Sequence, residues 1–296
     1  MSGNDYLTKL LDSQRLDKRS DEWKALEEEA ERIEAILRAA YPRSTLTFTH
    51  AGSRAKRTMI REDYDLDEVA YFRNEDKAAG ETLAEIYKNV AKVVSVHYSV
   101  RRKRSALRLG MKDGRDLKVD LVPGRYIDET MTDVFIHQAD GDKDWLKTNI
   151  MKQVAHIGGS GCTDEIMLGK LWRTRNGIGV KTFPLELLVI EALRLDGSGS
   201  LEQRFAHILA VFVEDIGSLR IEDPANPYGN DLSYALPDSL RSEIATVAHN
   251  TLAAARQYGW EHVFGKIEAR VFAPRVQVLR SAAAATLPTR PWGSRK

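Results

Sequence analysis

The amino-acid sequence predicts an α/β protein of the α+β kind, with a mixed sheet in its N-terminal half and helices in its C-terminal half. Short β-branched and aromatic runs are concentrated between Ser44 and Val122, which is typical of strands. After Pro123 the apolar residues recur at helical spacing instead. A chain of 296 residues can bury one large core or two. We therefore expect two lobes, residues 1–130 and residues 131–296.

The first forty residues have the pattern of one long helix. Apolar residues follow three-and-four spacing with Glu and Arg between them, at Trp23, Leu26, Ala30, Ile33 and Leu37. The pattern ends before Pro42, as a helix should. We expect this helix to span both lobes.

The strand signals come next, interrupted by one helical segment at Glu81–Val90. The predicted strands are Thr45–His50, Val69–Phe72, Val93–Val100, Leu107–Leu109 and Leu117–Val122. The last two flank Lys112-Asp113-Gly114, a turn sequence that predicts a hairpin.

The second half is predicted to be helical throughout. The predicted helices are Trp145–Val154, Glu165–Arg175, Pro184–Leu195, Leu201–Ile216, Ser239–Tyr258 and a last one near Glu261–Phe272. The tail after about residue 285 lacks such a pattern and is expected to be disordered.

Composition excludes several classes of protein. The net charge is +1, so no general basic field draws the surface to nucleic acid, and nucleic-acid binding is not expected. The single cysteine, Cys162, excludes an internal disulfide framework and a cysteine-rich zinc site. The opening MSGNDYLTKL has no signal-peptide core, and no apolar run is long enough for a membrane span. We expect a cytoplasmic protein with no membrane contact.

Alternating acids precede the second predicted strand, at Asp63, Asp65 and Asp67. Side chains two apart in a strand share a face, so Asp65 and Asp67 should project together. We favour this pair because the apolar run then continues the strand without a buried charge inside it. Asp120 ends a later strand that could lie alongside. Three such carboxylates suit Mg²⁺, although an exposed acidic turn is the simpler alternative.

Gly52-Ser53 follows the first predicted strand and precedes a short basic stretch. Glycine allows close approach of a phosphate, and the Ser53 hydroxyl with the following amides can hold its oxygens. A plain turn is the alternative, and the chain contains no P-loop sequence. The order of Gly-Ser, Asp-x-Asp and a later strand Asp is more informative than any one part.

In these residues the sequence resembles the nucleotidyltransferase superfamily built on the DNA-polymerase-β-like core. LGKLWRTRNGIGVKTFPLELLVIEAL (Leu168–Leu193) and IEDPANPYGNDLS (Ile221–Ser233) are similar to helical-lobe motifs of oligoadenylate synthases and bacterial cyclic-oligonucleotide synthases. YDLDEVAYF and VDLVPGRY are similar to the cGAS/DncV-like enzymes of anti-phage operons. The resemblance covers Ala51 to about Ser233.

The resemblance implies roles for the acids and the turn. Asp65, Asp67 and Asp120 would be catalytic and hold two Mg²⁺ ions, with Mn²⁺ as a substitute, and Asp120 would orient or activate the acceptor hydroxyl. Gly52 and Ser53 would hold the donor triphosphate.

The resemblance also implies that the helical lobe closes the nucleotide cleft. Lys170 matches the lysine that reaches the donor phosphates. Thr182 stands where relatives usually carry a serine hydroxyl, and Lys181 is an added candidate for binding nucleotide.

The implied function is condensation of nucleoside triphosphates into a cyclic di- or trinucleotide second messenger, which would act on a separate effector protein. A regulatory protein partner is possible. The alternatives are a nucleotidyltransferase that modifies RNA, a tRNA end, a protein or an antibiotic, and a non-catalytic nucleotide-binding module. The basic run Arg101–Arg104 could bind an activating nucleic acid or a phosphate-bearing product, or be a solvated loop.

Overall fold

The structure, a computed structural model, describes residues 1–139, 143–226 and 231–267. Its helices are α1 Gly3–Gln14, α2 Asp21–Ala40, α3 Gly52–Lys56, α4 Leu83–Ser95, α5 Ile150–Gly158, α6 Thr163–Asn176, α7 Thr182–Leu195, α8 Leu201–Glu214, α9 Asp238–Tyr258 and α10 Trp260–Phe264. Its strands are β1 Thr47–His50, β2 Leu66–Phe72, β3 Tyr98–Arg102, β4 Leu107–Met111, β5 Lys118–Tyr126, β6 Val134–His137 and β7 Trp145–Thr148.

The strands form one mixed sheet in the order β1-β2-β5-β4-β3. Among the strands of the described residues, β2 and β5 run parallel, and each of the other pairs is antiparallel. The second half of β5 pairs with β6, which in turn pairs with β7. The predicted mixed sheet is therefore present, with β2 and β5 side by side at its centre.

The protein has two large apolar cores, one in the sheet lobe and one in the helical lobe. The first core packs α2 and α4 on one face of the sheet, through residues such as Leu26, Val90 and Leu121. The second is built by α6–α9 around Trp172 and Phe205. The opposite face carries a smaller apolar cluster, which includes Val69, Tyr71 and Tyr126, and the polar residues described below.

The N-terminal segment forms two helices, so the prediction of one long helix was wrong. Ser20 begins α2 by accepting a hydrogen bond from the Trp23 backbone N–H, which starts a new helix after a short loop. Leu7 of α1 lies in the core of the helical lobe, whereas Ile33 of α2 lies in the core of the sheet lobe. Each lobe thus receives one of the two helices.

For two other segments the predicted secondary structure was wrong. Trp145–Val154 was predicted as a helix, but it contains strand β7 and then α5, which begins where the Asn149 side chain accepts from the Lys152 N–H. Val93–Val100 was predicted as a strand, but α4 continues to Ser95 because Val90 and Val94 stay on its buried face. Strand β3 begins only at Tyr98.

Strands β6 and β7 lie after residue 130, the expected boundary between the lobes, and the division of the chain there stays a prediction. Among the described residues, no helix is long and apolar enough to cross a bilayer. Part of the DPANPYGND stretch (227–230), the end of the last predicted helix and the predicted disordered tail lie outside the described residues.

Candidate active site

Three aspartates meet at the centre of the sheet. Asp67 of β2 is directly opposite Asp120 of β5, because the two strands pair in parallel register. Asp65 lies just before β2 and two residues from Asp67, so it reaches the same side. One carboxylate oxygen of each lies within 4.8 Å of the others. The structure therefore brings together the three acids that the sequence singled out.

Two of the three carboxylates have raised pKa values, chiefly because they are buried. Burial raises the pKa of Asp67 to about 7, and the neighbouring carboxylates of Asp65 and Asp120 add to the rise. Burial also raises the pKa of Asp65, with Arg108 opposing the shift. A nearby cation would favour the ionised form of these buried carboxylates.

The pKa of Asp120 shifts in the opposite direction, because two basic side chains contact this carboxylate. Arg108 donates from Nε to Oδ1 at 2.5 Å and from Nη2 to Oδ2 at 2.6 Å, a bidentate pair. Lys103 donates to Oδ2 at 2.6 Å. Burial opposes ionisation of Asp120, but these hydrogen bonds outweigh it and lower its pKa.

Sequence reasoning missed Arg108 and gave Lys103 no role at the acids. The predicted hairpin placed the strands of Arg108 and Asp120 side by side, and the observed register puts these two residues opposite each other. A hairpin register depends on the turn geometry, which the sequence left open. Arg108 also reaches Asp65 Oδ2 at 3.3 Å, so it bridges two of the acids.

The residues present fit hard divalent cations. The cluster offers only carboxylate oxygens, the donor atoms that Mg²⁺ prefers, with neither Cys nor His among the three ligands. The raised pKa values of Asp65 and Asp67 would fall once a cation neutralises them.

Gly52 begins α3 immediately beside the acids. Its φ is +55°, and a Cβ built on it would lie 1.6 Å from Asp67 Oδ2. The Ala51 N–H donates to the Asp67 carbonyl at 2.8 Å, which ties the turn to β2. Ser53 is buried in the next position of α3. The Gly-Ser turn therefore lies against the carboxylates, and any side chain at its first position would displace the Asp67 carboxylate.

Lys170 of α6 is buried, and its ammonium donates to the Thr58 carbonyl at 2.7 Å. Burial lowers the pKa of this ammonium. Its charge also lowers the pKa values of Asp65 and Asp67, which places it near the acids. Lys170 thus lies at the contact between the lobes beside the cluster.

Lys181 and Thr182 lie at the start of α7. Lys181 is exposed, whereas the Thr182 hydroxyl accepts from Arg173 Nη1 at 2.8 Å. Arg173 Nη2 also contacts Asp63 Oδ2 at 2.5 Å. Asp63, the acid that we left out of the metal set, is therefore an ion-pair partner of the helical lobe.

Glu186 of α7 is fully buried, and the sequence analysis did not assign it a role. It accepts from Lys56 Nζ at 2.8 Å and from the Thr58 hydroxyl at 2.9 Å. Its charge in the apolar run PLELLVIEAL was the signal that could have identified it. Glu186 therefore joins the helical lobe to the C-terminal end of α3. The Gly-Ser turn lies at the start of the same helix.

The mixed sheet with its flanking helices is the polymerase-β-like fold of the solved structures compared below, as predicted. The chain is 24% identical over 259 residues to the CBASS oligonucleotide cyclase CdnC of Escherichia coli strain KTE188, covering 73% of this chain and 80% of the relative. The predicted resemblance to cyclic-oligonucleotide synthases is thereby confirmed. No protein-family model matches the chain.

Solved structures agree in fold. The E. coli MS115-1 CdnC:HORMA-deltaN complex gives a TM-score of 0.66 at 19% identity, covering 89% of this chain and 97% of CdnC. Vibrio cholerae DncV cyclic AMP-GMP synthase with the linear intermediate 5′ pppA(3′,5′)pG gives 0.60 at 14% identity, covering 89% and 84%.

Proposed function

We propose that the protein is a Mg²⁺-dependent nucleotidyltransferase that condenses nucleoside triphosphates, releases pyrophosphate and forms a cyclic di- or trinucleotide second messenger for anti-phage signalling. The observation that carries this proposal is the convergence of Asp65, Asp67 and Asp120 within 4.8 Å, directly against Gly52. The similarity to a CBASS oligonucleotide cyclase supports the product class.

The three aspartates would hold two Mg²⁺ ions, with Mn²⁺ as a substitute. Such ions lower the pKa of an attacking hydroxyl and neutralise the departing pyrophosphate. Asp120 would also accept a hydrogen bond from the ribose 2′- or 3′-hydroxyl of the acceptor nucleotide and orient it towards the α-phosphate of the donor. The Gly52 and Ser53 region would hold the donor triphosphate through backbone N–H groups and the Ser53 hydroxyl.

The helical lobe would supply positive charge from the other side of the donor phosphates. Lys170 lies near the acids already, and Lys181 is exposed at the start of α7. The Thr182 hydroxyl would contact the phosphate tail while Arg173 holds it in place at 2.8 Å. A second reaction in the same pocket would close the ring.

Partners are proposed from the relatives. CdnC was solved in complex with HORMA-deltaN, which supports a regulatory protein partner for this chain as well. DncV was solved with a linear intermediate, which supports nucleoside triphosphates as substrates and stepwise synthesis. The product would act on a separate effector protein.

Mass spectrometry of the products from ATP, GTP, CTP and UTP with Mg²⁺ or Mn²⁺ tests the function. We expect a cyclic product and pyrophosphate without any added acceptor, and neither when the metal is removed with EDTA. Nucleotide consumption that requires added RNA, tRNA, protein or antibiotic would contradict the proposal and identify the other class of transferase.

A further inference from the structure

A row of charged residues crosses the active-site face of the sheet beyond the acids. In the strand pairing, Asp67 is opposite Asp120, Asp120 is opposite Arg108, and Arg108 is opposite Arg101. Residues directly opposite each other on neighbouring strands share a face. Arg101 therefore projects on the same side as the catalytic acids, two strands away from Asp120.

Lys118 completes a basic region on this side. It lies two residues before Asp120 in β5 and so shares its face. Gly110 of β4 is opposite Lys118, and Ser99 of β3 is opposite Gly110. Both residues are small, so no large side chain covers the sheet beside Lys118. Ser99, Arg101 and Lys118 are all exposed, so this part of the face is open to solvent.

This arrangement of basic side chains does not stabilise the fold. Arg101 and Arg108 are like charges directly opposite each other, which is destabilising in an antiparallel pair. Asp120 and Asp65 compensate Arg108, but in the part of the chain that the structure describes neither Arg101 nor Lys118 forms an ion pair. When cations occupy the acids, Arg108 also loses part of its counter-charge. The net positive charge of this region would then favour binding of an anion.

We propose that Arg101 and Lys118, together with Arg108, bind the 5′-polyphosphate of the second nucleotide, the one that supplies the attacking hydroxyl. This inference rests on the proposed function. The donor triphosphate belongs on the other side of the acids, because α3 with Gly52 and Ser53 contacts β2. The basic region lies across β5, β4 and β3 instead, so one region serves each nucleotide.

The distance suits a nucleotide rather than a nucleic acid. Neighbouring strands lie about 4.8 Å apart, so Arg101 is roughly 10 Å from Asp120 across two strands. That is within reach of a polyphosphate on a nucleotide whose ribose lies at Asp120. A long polyanion would have to pass the three carboxylates next to the row, which repel it.

Counting bound nucleotides tests the inference without catalysis. Native mass spectrometry with Mg²⁺ and each of the four α,β-methylene nucleoside triphosphates should show two bound per chain for the wild type. In Arg101→Ala with Lys118→Ala, the second should bind about tenfold or more weakly, since a hydrogen bond to a charged group is lost at each position. The first should bind as before.

Arg102→Ala is the matched control, because Arg102 is also exposed on β3 but lies opposite Leu107 on the other face. It should bind both nucleotides as the wild type does. An unchanged second site in the double variant, or equal weakening in the control, would overturn the inference. So would a labelled nucleic-acid duplex that binds through Arg101 and Lys118 while the second nucleotide does not.

Kinetics separate this inference from the proposed function. In the double variant we expect the KM for nucleotide to rise about fivefold or more while kcat changes less than about twofold, because the residues bind but do not react. A wild-type protein that binds two nucleotides yet never releases pyrophosphate would refute the proposed function alone. Normal product formation with unaltered KM in the double variant would refute the inference alone.

Discussion

Gly52 and Asp67 lie in such close contact that any side chain in place of the glycine would displace the Asp67 carboxylate. A Cβ on Gly52 would be 1.6 Å from Asp67 Oδ2, and Gly52 has a φ of +55°. The Gly-Ser turn and the Asp-x-Asp strand are twelve or more residues apart in the printed sequence, yet they form one surface. The contact explains physically why the two motifs occur together.

Gly52→Ala should therefore strongly reduce activity. The added methyl group must displace the Asp67 carboxylate, and misplacing a reacting group by about 1 Å can cost roughly a hundredfold in rate. Pyrophosphate release measures this effect. Gly114→Ala is the control, since Gly114 also has a positive φ (+83°) but nothing within 4 Å of a Cβ. If both variants lose activity equally, the clash with Asp67 is not the cause.

Glu186→Ala should destabilise the contact between the lobes. Removing the carboxylate leaves Lys56 as a buried, unpaired cation, and breaking a buried ion pair costs about 3–5 kcal/mol. Urea unfolding measures the loss. Glu191→Ala, on the same helix, breaks only the exposed pair with Arg194 and should change stability by less than about 1 kcal/mol. Equal stability of the two variants would contradict the role of Glu186.

The stability of the metal-free protein should depend on pH through Asp67. Its pKa rises from 3.8 in the unfolded chain to about 7 in the folded one, so the folded state holds the proton more tightly. The stabilisation is complete below pH 3.8 and is lost as pH rises to about 7. Relative to the wild type, Asp67→Asn should become more stable across this window in urea unfolding. A difference in stability between Asp67→Asn and the wild type that does not change with pH would refute the raised pKa of Asp67.

Cation binding should release protons for the same reason. At pH 6 Asp67 is still largely protonated, so Mn²⁺ must displace its proton, whereas at pH 8 the carboxylate is already ionised. Calorimetric titration in buffers of different ionisation enthalpy measures the protons released. Release should be larger at pH 6 than at pH 8 and smaller in Asp67→Asn than in the wild type. Equal release at both pH values would contradict this account.

The sequence predicted those features that depend on local pattern. The alternation of Asp65 and Asp67 and the order of the motifs were sufficient to indicate an acid cluster on a mixed sheet. The opposition of Arg108 and Asp120 was not predictable, because it depends on the register of the β4–β5 hairpin.

Long-range contacts were equally hidden from local reasoning. The role of Glu186 depends on its hydrogen bonds with Lys56 and Thr58, which lie far from it in the sequence. The N-terminal segment was predicted as one helix from the three-and-four spacing of its apolar residues, yet Ser20 caps a second helix there. Strand β7 resembled a helix because its apolar residues run directly into α5.

Pyrophosphate release by Asp65→Ala with Asp67→Ala tests the central claim most directly. Removing both carboxylates leaves Asp120 alone and abolishes a site for cations, so we expect no pyrophosphate from any mixture of the four nucleoside triphosphates. The variant should still unfold cooperatively, because two mutually repelling acids are lost and no apolar contact is removed. Undiminished pyrophosphate release by the folded double variant would contradict the proposed site.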